Sequence, residues 1–254
     1  MLTDGNDPQA LAEAYIHYFD VVRADTPALL DEAYRLRYQV YCVENPFENT
    51  AEHTNGRELD PDDDRSIHAL LVHRRSGSFA GTVRAILPNT NGPHRPLPIE
   101  RILAEQHSAS KIPWPKHSTV EVSRYAVSKE FRRRRGEELY ADIETSDDTS
   151  PTMSERRMIP YITYGLIRGV VEICAEYGIS HICAVMEPAL IRVLGRFGLE
   201  FESVGGLVEH HGVRQPCVAR LVDMVEGSRF RNPMLWQYAV QAAQGVENLS
   251  PHIA

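Results

Sequence analysis

The sequence predicts an α+β fold built on one mixed, mostly antiparallel sheet flanked by helices. Two observations carry this expectation. Two strand-like segments early in the chain are joined by a tight turn, part of an antiparallel meander. Later a strand, a long helix and a second strand follow one another, the order of a βαβ crossover with parallel pairing. With 254 residues, 43% of them hydrophobic, the chain can bury one sizeable core. A single domain over residues 1–254 is expected, and no internal repeat is visible.

Each element has a local signal. Leu11, Ala14, Tyr15, Tyr18 and Phe19 share a helical face, so a short amphipathic helix is expected over 9–17. Tyr18–Ala24 then alternates as a strand. Thr26 caps a helix with Pro27 at its first position, and helical spacing runs from Leu30 through Tyr34, Arg37 and Tyr41 until Pro46. Asn49–Arg65 is polar and acidic and is expected to be a solvated loop. Ile67–His73 and Ala80–Leu87 form a hairpin around Arg75-Ser76-Gly77-Ser78. A proline-rich connection leads to a short helix around Glu100–Gln106, and Val120–Val127 is the next strand. Arg132–Arg157 has no apolar periodicity and is expected to be a long, mobile surface loop. Pro160–Tyr177 is a helix closed by Gly178, Ile182–Met186 a buried strand, and Pro188 starts a helix ending at Gly198. Residues 199–204 and 216–225 suggest a final antiparallel pair, and Asn232-Pro233 opens a C-terminal helix over about 233–244.

Bulk properties narrow the function. A net charge of −8 argues against nucleic-acid binding, which needs a basic surface to displace counterions. No apolar run approaches the ~18 residues of a membrane span and no leader pattern opens the chain, so a cytoplasmic protein without integral membrane contact is expected. Cys42, Cys174, Cys183 and Cys217 lack paired spacing and sit in apolar stretches, as reduced core cysteines do.

The chemistry is carried by charge in unexpected places. Arg84 lies inside the strand Gly81–Leu87, where an unpaired guanidinium would cost several kcal/mol to bury. Glu121 and Arg124 lie in the strand Val120–Val127; three residues apart, they face opposite sides unless a bulge intervenes. With Arg37 and the acidic run Glu58-Leu59-Asp60-Pro61-Asp62-Asp63-Asp64, they could hold an amine, with one carboxylate taking its proton. The nucleophile elbow, the P-loop and the dinucleotide fingerprint are absent from the sequence, and His210-His211 are adjacent rather than spaced as helix-borne metal ligands. No metal or tightly bound cofactor is expected.

These residues resemble the acyl-homoserine lactone (autoinducer) synthases and their relatives, the N-acyl amino acid synthases and the PEP-CTERM/exosortase system-associated acyltransferases. Tyr34-Arg35-Leu36-Arg37-Tyr38-Gln39-Val40-Tyr41-Cys42-Val43-Glu44 is similar to the last group. Glu58-x-Asp60-x-x-Asp63, Gly81-Thr82-Val83-Arg84 and Glu121-Val122-Ser123-Arg124-Tyr125-Ala126-Val127 match the autoinducer-synthase signature in order and spacing. Ala184–Leu190 and Val208–Gly212 again resemble the exosortase-associated group, so the likeness covers about residues 15–235. The resemblance implies a GNAT-like sheet splayed beside its fourth strand, with an acyl thioester lying in the gap. It implies Glu121 as catalytic base, with Glu58 next, and a backbone N–H near Ser123 holding the thioester oxygen. Arg37, Tyr41, Asp60, Asp63, Arg84 and Arg124 are then substrate-binding. The implied donor is acyl-phosphopantetheine on acyl carrier protein, and the implied acceptor is a small amine or amino acid.

Acetyl-CoA enzymes open a helix directly after the fourth strand with a pyrophosphate loop, Arg/Gln-x-x-Gly-x-Gly/Ala. Here Arg133-Arg134-Arg135-Gly136-Glu137-Glu138 starts that way but ends in glutamate, which favours a carrier-protein donor over CoA. Acyl carrier proteins present an acidic helix, and Arg132, Arg133, Arg134, Arg135, Arg156 and Arg157 supply a local basic patch for docking. A CoA-dependent enzyme and a non-catalytic acyl-binding module are the rival expectations.

Overall fold

The computed structural model describes residues 8–45, 47–89, 95–106, 114–131, 161–209 and 212–241. Among the described residues there are eight strands: β1 (Phe19–Arg23), β2 (Ser66–His73), β3 (Phe79–Ile86), β4 (Thr119–Val127), β5 (His181–Met186), β6 (Glu202–Ser203), β7 (Val208–Glu209) and β8 (Val213–Arg220). They are ordered β1-β2-β3-β4-β5-β8-β6, with β7 paired to β8 off this path. Strands β1 to β4 are antiparallel neighbours; a tight turn joins β2 to β3, while one α-helix lies between β1 and β2 and another between β3 and β4. The crossover from β4 to β5 makes these two parallel.

That parallel pairing is short. It runs from Thr119 opposite His181 to Glu121 opposite Cys183 and stops there. Beyond Glu121, β4 stays on β3 as far as Val127, while β5 stays on β8 as far as Met186. The two halves of the sheet therefore part, leaving a V-shaped gap between β4 and β5.

Among the described residues seven α-helices cover the faces: α1 (Pro8–Tyr18), α2 (Pro27–Tyr38), α3 (Pro98–Glu105), α4 (Thr163–Glu176), α5 (Pro188–Arg196), α6 (Leu221–Arg231) and α7 (Pro233–Leu235). The Thr26 hydroxyl caps α2 by accepting from the Leu29 amide at 3.2 Å, and the helix continues as a π-helical turn over Gln39–Glu44. Leu166, Val170 and Ile173 of α4 join Tyr15, Phe19, Leu71, Val120 and Ile182 in the main core. On the opposite face Ala33, Leu36 and Val40 pack on Leu70 and Ala126, and Ile99 and Leu103 of α3 pack on Ile86, Cys183 and Val218. All four cysteines are buried and free.

Three sequence expectations need correction. The expected strand 216–225 ends at Arg220, and Leu221 begins α6, whose buried Leu221, Met224, Val225 and Ser228 follow the helical period. The mostly apolar stretch Val218–Val225, interrupted by Arg220 and Asp223 alone, hid that change of period. Of residues 199–204 only Glu202–Ser203 pair as a strand, because Gly205 and Gly206 turn the chain away at once. The C-terminal helix is α7 followed by a π-helical turn over Trp236–Gln241, and its expected end lies outside the described residues. The expected surface loop 132–157 and the pair His210-His211 also lie outside them.

Candidate active site

The centre of the site is β4. Glu121 lies opposite Ile86, and Ser123 opposite Arg84, so Glu121, Ser123 and Arg84 occupy one face of the sheet. Between Thr82–Ala126 and Arg84–Ser123 the register shifts, leaving one extra residue in β4. At this bulge Arg124 has φ +49°, the one left-handed non-glycine residue among those described. Such a conformation costs of order 1–3 kcal/mol and is kept where the surroundings impose it. Here the reward is electrostatic: the bulge lets Arg124 reach the same acidic loop as Arg84.

Part of that loop is buried, contrary to its expected solvation: Glu58 and Asp62 are buried, while Leu59 and Asp64 stay exposed. The Glu58 amide donates to the Tyr34 carbonyl at 3.2 Å, which ties the loop to α2. Glu58 is 1% exposed. The physical reason is three arginines rising from α2, β3 and β4, each of which needs counter-charge. Arg37 donates to Glu58 at 2.6 Å and to both oxygens of Asp63 at 2.7 and 3.1 Å. Arg84 donates to Ser123 Oγ at 3.0 Å, Asp60 at 2.7 Å and Asp63 at 2.9 Å. Arg124 donates to the two Glu58 oxygens at 3.0 and 2.9 Å and to Glu48 at 3.1 Å, with Asp60 at 3.2 Å. The Tyr41 hydroxyl donates to the Tyr125 carbonyl at 3.0 Å, and its ring lies 5.6 Å from the Arg124 guanidinium.

Two glutamates are driven in opposite directions. Burial alone would raise the Glu58 carboxyl, but hydrogen bonds and charge from Arg124 and Arg37 outweigh it and lower the pKa to about 2. Asp63 is held well below its ordinary range, burial being offset by His68, Arg37 and Arg84. Glu121 is equally buried but has no ion pair of this kind. Burial lifts it to about 8, against the Ile99 amide hydrogen bond and the fields of Arg84 and Arg101. That amide donates to Glu121 Oε2 at 2.8 Å.

A cavity of about 620 Å³ passes through the gap between β4 and β5. On the α3 face its wall is polar, with Asp60, Asp62, Arg84, Arg101, Glu121 and Arg124. On the α4 face it is apolar, with Ile167, Val171, Leu194, Leu199, Phe201 and Met224. Such a shape takes a ligand with one polar and one long apolar end.

Of the residues singled out in the sequence, Tyr41, Asp60, Arg84, Glu121, Ser123 and Arg124 line the cavity. Arg37, Glu58 and Asp63 stand behind that wall, and Arg37 is fully buried. Arg132–Arg135, Arg156 and Arg157 lie outside the described residues. Sequence reasoning missed Asp62 as a wall residue, Arg101, Glu187 and Arg214, all of which line the cavity. Arg101 lies in an exposed-looking helix with no motif around it; the buried apolar Ile99 and Leu103 on either side were the available sign that α3 packs over the sheet. Among the described residues no His, Cys, Asp and Glu group has the geometry of a metal site, and no helix is long and apolar enough to cross a membrane.

Residues 36–141 match the family described as an acetyltransferase (GNAT) domain. Solved structures share the architecture across most of the chain. FeeM, an N-acyl amino acid synthase from uncultured soil microbes, is 15% identical, with 87% of this chain and 97% of that chain covered at a TM-score of 0.51. TofI, in a ternary complex with an inhibitor and MTA, is 18% identical, covering 86% and 99% at 0.57. BjaI, a CoA-dependent acyl-homoserine lactone synthase with SAM and isopentyl-CoA, is 19% identical, covering 82% and 85% at 0.54. Comparison with curated proteins finds no match. The fold is the GNAT fold.

Proposed function

We propose that this protein is an N-acyltransferase that moves a fatty acyl group from the phosphopantetheine thioester of acyl carrier protein to the amine of a small acceptor. The observation that carries this reading is the single cavity that joins the buried carboxyl of Glu121 to an apolar chamber through the β4–β5 gap. The acyl chain occupies the chamber and the thioester lies in the gap beside Ser123. Glu121 takes a proton from the acceptor ammonium, and the freed nitrogen attacks the thioester carbon. Backbone N–H groups at the β4 bulge hold the oxyanion, a role in which one donor is typically worth about 10²–10³ in rate. The C–N bond forms, the C–S bond breaks, and the proton that the attacking nitrogen sheds passes to the departing sulfur, which leaves as the pantetheine thiol. Glu58 at about 2 is too weak a base for this step and serves the ion-pair network.

Charge around the cavity supports an amino acid as acceptor. Around Arg37, Arg84 and Arg124 stand Glu48, Glu58, Asp60 and Asp63, with Glu48 and Asp60 on the cavity wall. Arg65, Arg95 and Arg101 face Asp62 and Asp64, an excess of one guanidinium. An α-amino acid matches both, its ammonium toward Asp60 and Glu121 and its carboxylate toward Arg101. Mass spectrometry of lipids from cells overproducing the protein, against cells carrying Glu121→Gln, tests the reading. New N-acylated amino acids are expected with the unaltered protein alone; identical lipid profiles would sink it. Purified protein given acyl carrier protein or acyl-CoA in parallel decides the donor, the CoA-dependent alternative being one that BjaI makes concrete.

A further inference from the structure

A helix begins with amide groups that have no partner within it. In the first turn of α3, Pro98 has no N–H to place, and the Glu100 amide donates to the Leu97 carbonyl at 3.0 Å. The Ile99 amide leaves the helix and donates to Glu121 Oε2 on β4. Among the described residues it is the one hydrogen-bond donor to Glu121. The turn is itself held. Glu100 is 5% exposed, and its Oε2 accepts from the Leu97 amide at 2.8 Å while Lys116 Nζ lies 3.3 Å from Oε1. Ile99 and Leu103 are plugged into the core against Cys183 and Val218, so the amide cannot drift from the carboxyl without opening that core.

We infer that the first turn of α3 positions Glu121 for catalysis, the Ile99 amide holding one carboxylate oxygen and leaving the other to exchange a proton with the acceptor. This rests on Glu121 being the base. Ile99 and Glu100 are positioning residues: neither touches the reacting atoms. An N–H aimed at a carboxylate favours its charged form, as does the positive end of a helix. The other groups that act on Glu121 come from every element packed around it: Arg84 on β3, Arg101 on α3, Asp62 in the acidic loop, Cys183 on β5 and Cys217 on β8. The two thiols are neutral, since burial raises both. Of these influences only the Ile99 bond can be deleted without changing a charge.

Proline at the second position of a helix keeps the backbone form and removes the N–H. Ile99→Pro is therefore compared with Ile99→Val, which keeps the N–H. The Glu121 carboxyl is titrated by ¹³C NMR, its signal assigned by loss in Glu121→Gln, and kcat/KM is followed against pH in the same proteins. Loss of a hydrogen bond to a charged group should raise the Glu121 midpoint by about one to two pH units in Ile99→Pro but not in Ile99→Val. The acid limb of kcat/KM should move with it. Because Pro98 precedes the new proline and disfavours the helical form, Glu100→Ala against Glu100→Gln is the second pair. Both remove the charge, only the glutamine keeps an acceptor for the Leu97 amide, and the alanine variant should titrate higher. Folded variants with equal midpoints within each pair would overturn the positioning role. A midpoint that moves while the rate profile stays would instead remove Glu121 as the base and leave the hydrogen bond's hold on it intact.

Discussion

Glu58 and Glu121 start from the same ordinary value of 4.5 and end near 2 and near 8 within one site. The difference is one of partners: two guanidinium groups reach Glu58, one amide reaches Glu121. Glu121→Gln keeps the shape and removes the proposed base, so turnover should fall by about 10²–10⁴ with folding retained; an unchanged rate in a normally melting variant would place the base elsewhere. The titration also sets a stability profile. A carboxyl whose folded pKa is raised binds its proton more tightly in the folded state, so its contribution declines as pH rises from 4.5 toward 8. The unaltered protein should therefore lose thermal stability relative to Glu121→Gln across that window. For Glu58 the sign is opposite: its stabilisation is present above 4.5 and lost as pH falls toward 2. Arg37→Leu would leave Glu58 and Asp63 buried without their guanidinium and should cost about 3–5 kcal/mol in denaturant unfolding. Arg84 and Glu121 stood out in the sequence because charge interrupts apolar strands. Arg101 did not, because an arginine on a short helix usually faces water.

At the scale of elements, the site depends on where β4 leaves β5 and on how closely α4 lies on the sheet. Gly165 and Gly169 allow that approach: a Cβ at Gly165 would come within 2.3 Å of Leu71 Cδ1, and one at Gly169 within 2.6 Å of the Ala69 Cβ. Gly165→Ala is expected to cost about 1–3 kcal/mol in unfolding and to lower activity by shifting the apolar wall carried by α4. α5 and α6 close the chamber from the same side, through Leu190, Leu194, Leu221, Met224 and Val225. Met224→Trp should shift the preferred acyl chain to shorter lengths, read as the product distribution from a mixed acyl donor pool. An unaltered distribution would place the acyl chain elsewhere. The hairpin, α2, α4 and the β4–β5 crossover were legible from period and capping. α6 was not, since an apolar strand running directly into an amphipathic helix has no turn residue between them.

At the scale of the whole molecule, a chain of net charge −8 that takes its donor from an acidic carrier protein, as proposed, must meet it through a local patch. Replacing Arg132–Arg135 by serine should raise the apparent KM for acyl carrier protein, and added salt should mimic the effect, while turnover at saturating donor changes little. If the quadruple variant instead uses the carrier protein normally and loses activity with acyl-CoA, those arginines serve nucleotide phosphates.

The sequence by itself determined the class of the sheet, the crossover, and the charged residues that a strand interior would not carry without a purpose. Those are local matters of period, capping and composition, each decided within a few residues. Only the tertiary structure decided that the Glu58 and Asp63 carboxylates of the acidic loop are buried, because their counter-charges come from α2, β3 and β4. It alone decided that Arg124 turns at a bulge, that Glu58 sits behind the cavity wall while Glu121 lines it, and that α3 delivers an amide to Glu121. Burial and partnership fix what a carboxyl does, and both arise from residues far apart in the chain.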